Sequence, residues 1–129
     1  MPDLHLSQIG QISVTVYDLE RAVAFYRDTL GMSLLFQAPP KMAFFDCGGI
    51  RLMLSLPEVP EFDHPASILY YKVEDIHAAH AALRERGADI RSEPHLVAKM
   101  PDHELWMAFL KDTEGNTLAL MSESPLQGT

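Results

Sequence analysis

The stretch from Gln11 to Gly31, QISVTVYDLERAVAFYRDTLG, decides the fold because it specifies a strand and the helix that follows it. Polar and apolar residues alternate over residues 11–17, which is the period of a half-buried strand. Asp18 is suited to cap the first turn of a helix, and apolar residues then recur at helical spacing as far as Gly31. A glycine at that point favours the positive φ of a helix end. The stretch therefore predicts a strand followed by a helix.

A second copy of this unit, ILYYKVEDIHAAHAALRERG, begins at Ile68 and ends at Gly87. Asp75 takes the place of Asp18 at an offset of 57 positions, and Gly87 takes the place of Gly31 at an offset of 56. An internal repeat of about half the chain length predicts two similar modules.

Further strands complete each module in the order βαβββ. Residues 57–66, PEVPEFDHPA, contain three prolines and show no periodicity, so they are predicted to link the modules. The chain is thus predicted to be one α+β domain, residues 1–129, with modules at about 9–56 and 67–123. Further strands are predicted at 32–36, 42–47, 50–56, 68–73, 88–91, 105–110 and 117–121, a second helix at 76–86, and turns at Ala38–Lys41, Gly48–Gly49 and Asp112–Asn116.

The second module is longer than the first. Gly31 to Leu52 spans 21 positions, whereas Gly87 to Leu118 spans 31. The additional residues fall around 93–104, EPHLVAKMPDHE, a segment without a core pattern of its own. Long loops on compact scaffolds often carry binding groups. We predict that this segment is a loop that closes as a lid over a pocket, bringing His95, His103 and Trp106 to a ligand.

The composition limits the possible partners. The chain has 129 residues, of which 47% are hydrophobic, and its 10 basic against 18 acidic residues argue against a nucleic-acid partner. No apolar run approaches the roughly 20 residues of a membrane-spanning helix. Cys47 is the only cysteine, and the opening MPDLHLSQ does not resemble a signal peptide. These features predict a soluble cytoplasmic protein.

The two modules together resemble the vicinal oxygen chelate superfamily, which includes glyoxalase I, extradiol dioxygenases, and fosfomycin- and bleomycin-resistance proteins. The resemblance rests on D-L-E-R-A-V-A-F-Y-R-D-T-L-G-M after the first strand and on D-T-E-G-N-T-L-A-L at the end of the second module. It implies a curled mixed sheet with helices on its convex side and a small-molecule site on its concave side. It does not by itself specify a reaction.

In the metal-dependent members that the chain resembles, metal ligands come from four strand positions, which here hold Gln11, Met53, Ile68 and Ala119. One branch of glyoxalase I enzymes does use a glutamine at the first position. Isoleucine and alanine have no donor atom, and the methionine thioether suits Cu(I) rather than Zn, Ni, Fe or Mn. No divalent metal is therefore expected at these positions. The bleomycin-resistance proteins, which the chain resembles in this respect, bind their drug without this metal.

Strand alternation identifies side chains on the concave face, and Trp106 is added as an aromatic wall at the mouth of the sheet. Lys72 would favour an anionic or carbonyl group on the ligand, whereas the net charge of −8 favours a cation, so the ligand charge stays open. The predicted ligand-binding residues are Gln11, Ser13, Met53, Tyr70, Lys72, Trp106 and Met121.

Two functions remain open at this stage. The first is a small-molecule-binding protein of the bleomycin-resistance type. The second is a lyase or isomerase of the glyoxalase type whose catalytic groups have moved to His95 and His103; a dioxygenase ranks behind both. His77 and His80 lie at i, i+3 on the second helix, but no third metal ligand accompanies them. Proteins of this fold often complete their sheets across a two-fold axis, so a homodimer is expected.

Overall fold

The computed structural model describes residues 4–38 and 41–125, which divide after Pro65 into two compact units. In the first unit the elements are β1 (Gln11–Thr15), α1 (Leu19–Ala24), β2 (Ser33–Ala38), β3 (Met42–Cys47) and β4 (Ile50–Ser55). In the second unit they are β5 (Leu69–Lys72), α2 (Ile76–Glu85), β6 (Asp89–Ile90), β7 (His95–Lys99), β8 (Glu104–Lys111) and β9 (Thr117–Ser124). The predicted turn at Ala38–Lys41 falls partly on residues 39–40, which lie outside the described residues.

Each unit pairs its first strand in parallel with its last strand. The strand orders are β1-β4-β3-β2 in the first sheet and β5-β9-β8-β6 in the second, where β7 also pairs with β8. The remaining pairs are antiparallel. Each sheet is therefore mixed and carries one helical segment, which confirms the predicted α+β class with two similar modules. The first unit has the predicted order βαβββ, and the second follows it with one additional strand, since β6 and β7 both precede β8.

The two aspartates that mark the repeat cap the helices as predicted. Asp18 Oδ1 accepts a hydrogen bond of 3.0 Å from the Arg21 amide, and Asp75 Oδ1 accepts one of 3.1 Å from the Ala78 amide. After α1 the chain continues as a π-helical turn, Phe25–Thr29, before Gly31 reverses it with φ +76°. No helix among the described residues combines the length and the apolar character needed to cross a membrane.

The core of each unit lies between its sheet and its helical segment. In the first unit, Tyr26 is fully buried against Phe45, with ring centroids 6.1 Å apart. In the second, Leu110 and Leu118 are buried beneath α2, together with Ile76 and Leu83 of the helix itself. Alternate residues of the strands therefore point toward the helix, and the others lie on the opposite side of the sheet.

The D-T-E-G-N segment has a structural role as the turn between β8 and β9. The Asp112 carboxylate accepts hydrogen bonds of 2.8 Å from the amides of Glu114 and Asn116 and one of 2.9 Å from the Asn116 side chain. Gly115 has φ +86°, which a side chain would disfavour. Both Asp112 and Asn116 are buried, so this family-like motif stabilises a hairpin.

The prediction of a loop at residues 93–104 is wrong. Residues 95–99 form β7, which pairs with β8 from His95 opposite Met107 to Lys99 opposite Glu104. The additional length of the second module extends the strands, since β8 and β9 have eight residues each where β3 and β4 have six. Periodicity did not predict β7, because its sequence HLVAK places three apolar residues in a row and does not alternate.

The segment predicted as a linker folds onto the first unit. Residues 60–62 form one 3₁₀ turn, and the Thr15 hydroxyl donates a 3.2 Å hydrogen bond to the Phe62 carbonyl. The Tyr17 hydroxyl donates a hydrogen bond to the Asp63 carboxylate. That bond raises the pKa of the Tyr17 phenol.

Candidate functional site

We call the side of each sheet opposite its helix the open face. The parallel register places Gln11 beside Arg51 and Ser13 beside Met53, while Leu52 and Leu54 are buried on the other side. The open face of the first sheet includes Gln11, Ser13, Thr15, Met42, Phe44, Arg51, Met53 and Ser55. The open face of the second includes Tyr70, Lys72, His95, Met107, Phe109, Ala119 and Met121.

Short polar contacts organise the first open face. Gln11 Nε2 lies 3.7 Å from the Met53 thioether sulfur, and the hydroxyls of Ser13 and Ser55 are 3.4 Å apart. The Gln11 amide therefore interacts with a soft, weak acceptor. This part of the predicted ligand-binding set, Gln11, Ser13 and Met53, shares one surface.

A pocket of about 330 Å³ opens on this surface. Its floor comes from β1, β3 and β4, and its wall comes from residues 56–64, including Phe62 and His64. The hydrogen bond between Thr15 and Phe62 holds the wall against the floor. The lining residues are Ser13, Thr15, Met42, Met53, Ser55, Leu56, Glu58, Phe62 and His64. Such a mixture of apolar groups and few hydroxyls is typical of small-molecule sites.

A larger depression of about 820 Å³ lies beside α1 and is lined by Tyr17, Asp18, Glu20, Arg27 and Gln37, among others. It is more polar than the first pocket, and helix residues make up most of its lining. Apart from Leu56, it shares no lining residue with the pocket on the open face. The smaller, more apolar pocket on the open face is therefore the candidate site.

Gln11, Met53, Ile68 and Ala119 occupy the positions that hold the metal ligands in the metal-dependent proteins that the chain resembles. Met53 offers a thioether in contact with Gln11. Ile68 and Ala119 offer no lone pair, and Ala119 is fully buried. Hard or borderline divalent ions prefer carboxylate, imidazole or thiolate ligands. Among residues 4–38 and 41–125, no group of three or more His, Cys, Asp or Glu side chains could hold a metal ion.

Aromatic rings cover the position of Ala119 in the second sheet. Ala119 pairs with Tyr70 on one side and with Phe109 on the other. The Tyr70 and Phe109 rings meet edge to face with centroids 6.1 Å apart, and the His95 ring stacks on Phe109 at 6.3 Å and 27°. Because alanine has so short a side chain, the two rings can approach each other across it. We call Tyr70, Phe109 and His95 the aromatic row.

A chain of charged groups lies at the end of the same face. Lys72 Nζ is 3.2 Å from Glu123 Oε1, and His103 Nε2 is 3.1 Å from Glu123 Oε2. His103 Nδ1 is 2.7 Å from the Asp102 carboxylate, and this hydrogen bond lowers the pKa of Asp102. The charge of Lys72 is therefore already matched by a carboxylate.

The structure does not bring the two candidate catalytic histidines together. His95 pairs with Met107, whereas His103 precedes Glu104 at the far end of the same hairpin. At about 3.3 Å per residue, these positions are roughly 13 Å apart along the strand. His95 and His103 therefore do not face each other across the hairpin. His103 is not a freely exposed loop residue either, since its side chain is 20% exposed and both ring nitrogens lie near carboxylates.

Trp106 lies on the helix-facing side of β8 together with Ala108 and Leu110, and the centroid of its ring is 5.3 Å from that of His77 in α2. Its indole N–H donates a 3.3 Å hydrogen bond to the buried Glu104. The described contacts thus place Trp106 away from the open face, unlike the other predicted ligand-binding residues. A lid carrying Trp106 to a ligand there has no support in this geometry.

The second histidine of the α2 pair is buried. His80 Nε2 lies 3.4 Å from Glu93 Oε2, and Arg84 forms an ion pair with the same carboxylate. The hydrogen bond from Arg84 lowers the pKa of Glu93. His77 and His80 therefore have different partners, and this cluster ties α2 to the segment before β7.

Several residues of the candidate site did not emerge from the sequence. Phe62 and His64 stand in a proline-rich segment without periodicity, so nothing in the pattern predicted that they return to β1. Phe109 and Met107 follow from the alternation of β8 once its register is known. The three-proline segment offered one signal, because prolines lower the flexibility of a chain that must lie against a surface.

Comparison with known proteins agrees with this architecture. A model of the Glyoxalase/Bleomycin resistance protein/Dioxygenase superfamily matches residues 8–120. A glyoxylase-like domain-containing protein of Didymella fabae is 32% identical over 122 residues, which cover 88% of this chain and 91% of that protein. The solved structure of TnmS3, an antibiotic binding protein from Streptomyces sp. CB03234, superposes with a TM-score of 0.72 at 27% identity, covering 95% of this chain and 100% of that chain.

A lactoylglutathione lyase from Agrobacterium tumefaciens also superposes with a TM-score of 0.72, covering 90% of this chain and 93% of that chain. Its identity is 20%, so this likeness concerns the fold alone.

The contact between His103 and Asp102 gives a pH-dependent prediction. In His103→Ala the pKa of Asp102 should rise toward its ordinary value, because the 2.7 Å hydrogen bond that lowers it is gone. A carboxyl whose folded pKa is lowered adds stability above its unfolded pKa, about 3.9, and this stability is lost as the pH falls through the folded pKa. The variant should therefore lose less stability on acidification than the wild type.

Carboxyl carbon shifts in an NMR titration measure this pKa directly. His64→Ala serves as the control, because its ring contacts Pro65 in the other unit. An Asp102 pKa that is the same in His103→Ala and in the wild type would contradict the assignment.

Proposed function

Because the chain belongs to the Glyoxalase/Bleomycin resistance protein/Dioxygenase superfamily, we propose that it binds a small molecule without the divalent metal of the metal-dependent members. The observation that carries the proposal is the donor chemistry at the four ligand positions. Gln11 contacts a thioether there, Ile68 has no donor, and Ala119 is buried beneath two aromatic rings. A carboxylate or imidazole would be needed at these positions to hold such a metal against water.

The pocket on the first open face is the proposed binding site. It presents the hydroxyls of Ser13 and Ser55, the thioethers of Met42 and Met53, and the ring of Phe62. Flexible thioethers adapt to ligands of irregular shape, and hydroxyls act as donors or acceptors. The likeness to TnmS3, named as an antibiotic binding protein, favours an amphipathic organic ligand.

No observation favours the alternative, a lyase or isomerase with catalytic groups at His95 and His103. General acid–base catalysis requires each group within hydrogen-bond reach of the reacting atoms. His95 and His103 lie at opposite ends of the hairpin, too far apart for both to contact the reacting atoms of one small substrate. Binding a small molecule does not require these two histidines to lie close together.

The metal prediction follows from the donor set. Wild-type protein dialysed against Zn, Ni, Fe or Mn should retain none of these ions in stoichiometric amount, and none should raise the melting temperature by binding the folded state. Elemental analysis and thermal unfolding measure the two quantities. The opposite result, a bound metal that survives dialysis and is lost in Gln11→Ala, would show that the position is a ligand after all.

The binding prediction uses Met53, which lies in the floor of the pocket. A panel of amphipathic compounds, antibiotics among them, should contain members that raise the melting temperature equally with and without a chelator. Met53→Leu conserves volume and should retain this effect, whereas Met53→Lys places a charge in the pocket and should abolish it.

Ser33→Lys, on the exposed start of β2 outside the pocket, is the matched control for the added charge. If Met53→Lys folds and binds the same compounds as the wild type, the pocket is not the site.

We also propose that the protein is a homodimer. Edge strands that expose apolar side chains are prone to pair with another chain, and β2 exposes Leu35 and Phe36 to 49% each. A second copy would cover such an edge in a closed two-fold arrangement. Sedimentation at micromolar concentration should give twice the chain mass, and Phe36→Lys should lower it; a wild-type monomer would exclude the dimer.

A further inference from the structure

The aromatic row is a partly exposed apolar surface on the side of the second sheet opposite α2. Tyr70 is 45% exposed, although Phe109 and His95 pack against one another and Phe109 meets the Tyr70 ring. Beneath the rings, Ala119 is fully buried. The edge-to-face and stacked contacts fix the rings relative to one another, so a flat partner would meet a preorganised surface.

The hydrogen bond of His95 determines which of its nitrogens is available. Nδ1 lies 3.0 Å from the backbone carbonyl oxygen of Glu93. A carbonyl oxygen only accepts hydrogen bonds, so Nδ1 carries the proton. In the neutral imidazole, Nε2 then has a lone pair and can only accept. The row therefore combines apolar rings with one fixed acceptor.

The neighbouring groups indicate the charge of the partner. Met107 and Met121 pair with each other beside the row, and thioethers interact favourably with aromatic rings. Lys72 pairs with Met121 in register, but its ammonium is engaged by Glu123 at 3.2 Å. No described side chain that pairs with a member of the row carries an unmatched charge, which favours a neutral partner.

We propose that the aromatic row binds a neutral, planar, conjugated ring bearing an O–H or N–H group that donates to His95 Nε2. This inference goes beyond the proposed function, because the aromatic row lies in the second unit, whereas the proposed pocket with Met53 lies in the first. Phe109 binds the ring by stacking, and His95 binds its donor by accepting a hydrogen bond.

Three probes of similar size separate the two contributions. 1-Naphthol is planar and has the hydroxyl donor, naphthalene is planar without it, and 1-decalol has the hydroxyl on a saturated skeleton. At about pH 8, where imidazoles are neutral, titration followed by NMR should rank 1-naphthol first. Its addition should shift the resonances of Tyr70, Phe109 and His95 in the wild-type protein, a readout that needs no variant.

Substitutions in the aromatic row then show which residues provide the stacking and which provides the hydrogen bond. Tyr70→Leu and Phe109→Leu should weaken 1-naphthol binding by roughly three- to tenfold, the range for a lost aromatic contact. His95→Phe keeps a ring over Phe109 but removes the acceptor, so it should abolish the preference for 1-naphthol over naphthalene, which should be about fivefold. Leu96→Ala, opposite Trp106 on the other side of the hairpin, is the control and should change neither affinity.

Equal affinity for 1-decalol and 1-naphthol would overturn the inference, as would failure of all three probes to shift the aromatic row. A His95→Phe variant that retains the full preference for 1-naphthol would overturn the role of Nε2. These outcomes are distinct from failure of the proposed function, which is decided by metal retention and by the Met53 variants in the other unit. If the leucine variants do not fold, the wild-type resonance shifts still decide the matter.

Discussion

The parallel pairing of the first and last strands in each unit is the constraint on which the rest of the structure depends. Parallel strands cannot be joined by a tight turn, so a long connection must lead from one to the other. In each unit this connection contains a helix, which covers one side of the sheet. Side chains alternate, so the register Ser13 beside Met53 commits one set of residues to the core and the other to the open face. A slip of one residue would exchange the two sets.

This constraint explains why substitution on the open face is possible without loss of the fold. Leu52 and Leu54 are buried on the side of β4 that faces α1, whereas Met53 between them lies on the open face. The same holds in β9, where Leu118 and Leu120 flank Ala119. The side chains at the positions that correspond to metal ligands can therefore differ, with a thioether or a methyl group in place of a carboxylate, while the helix-facing core stays the same. Fold membership and metal chemistry are physically separable here.

Most of the fold could be predicted from the sequence, because Asp18, Gly31, Asp75 and Gly87 are local signals that act through local geometry. The strand β3 has the predicted bounds, residues 42–47. Tertiary pairing decided the parts that could not be predicted. β7 has little apolar alternation and is held by its pairing with β8, and Trp106 faces α2 because the register of β8 puts it there. Neither the pairing of β7 with β8 nor the orientation of Trp106 can be deduced from residue spacing along the chain.

The candidate site shows the same division between local and tertiary information. Gln11, Ser13 and Met53 could be assigned to one face from alternation, and they share it. Phe62 and His64 could not, because a proline-rich segment has no period to interpret. Prolines reduce the conformational entropy that residues 57–65 lose when they lie against β1.

A few hydrogen bonds, such as that from Thr15 to the Phe62 carbonyl, then suffice to hold the pocket wall. The wall of the pocket in the first unit thus comes from residues 57–65, which lie outside the repeated βαβββ module. The open face of the second unit differs from that of the first because β8 and β9 are longer than β3 and β4 and because aromatic rings lie over Ala119. One repeated backbone therefore supports two different surfaces, since neither modification touches the helix-facing core that the repeat preserves.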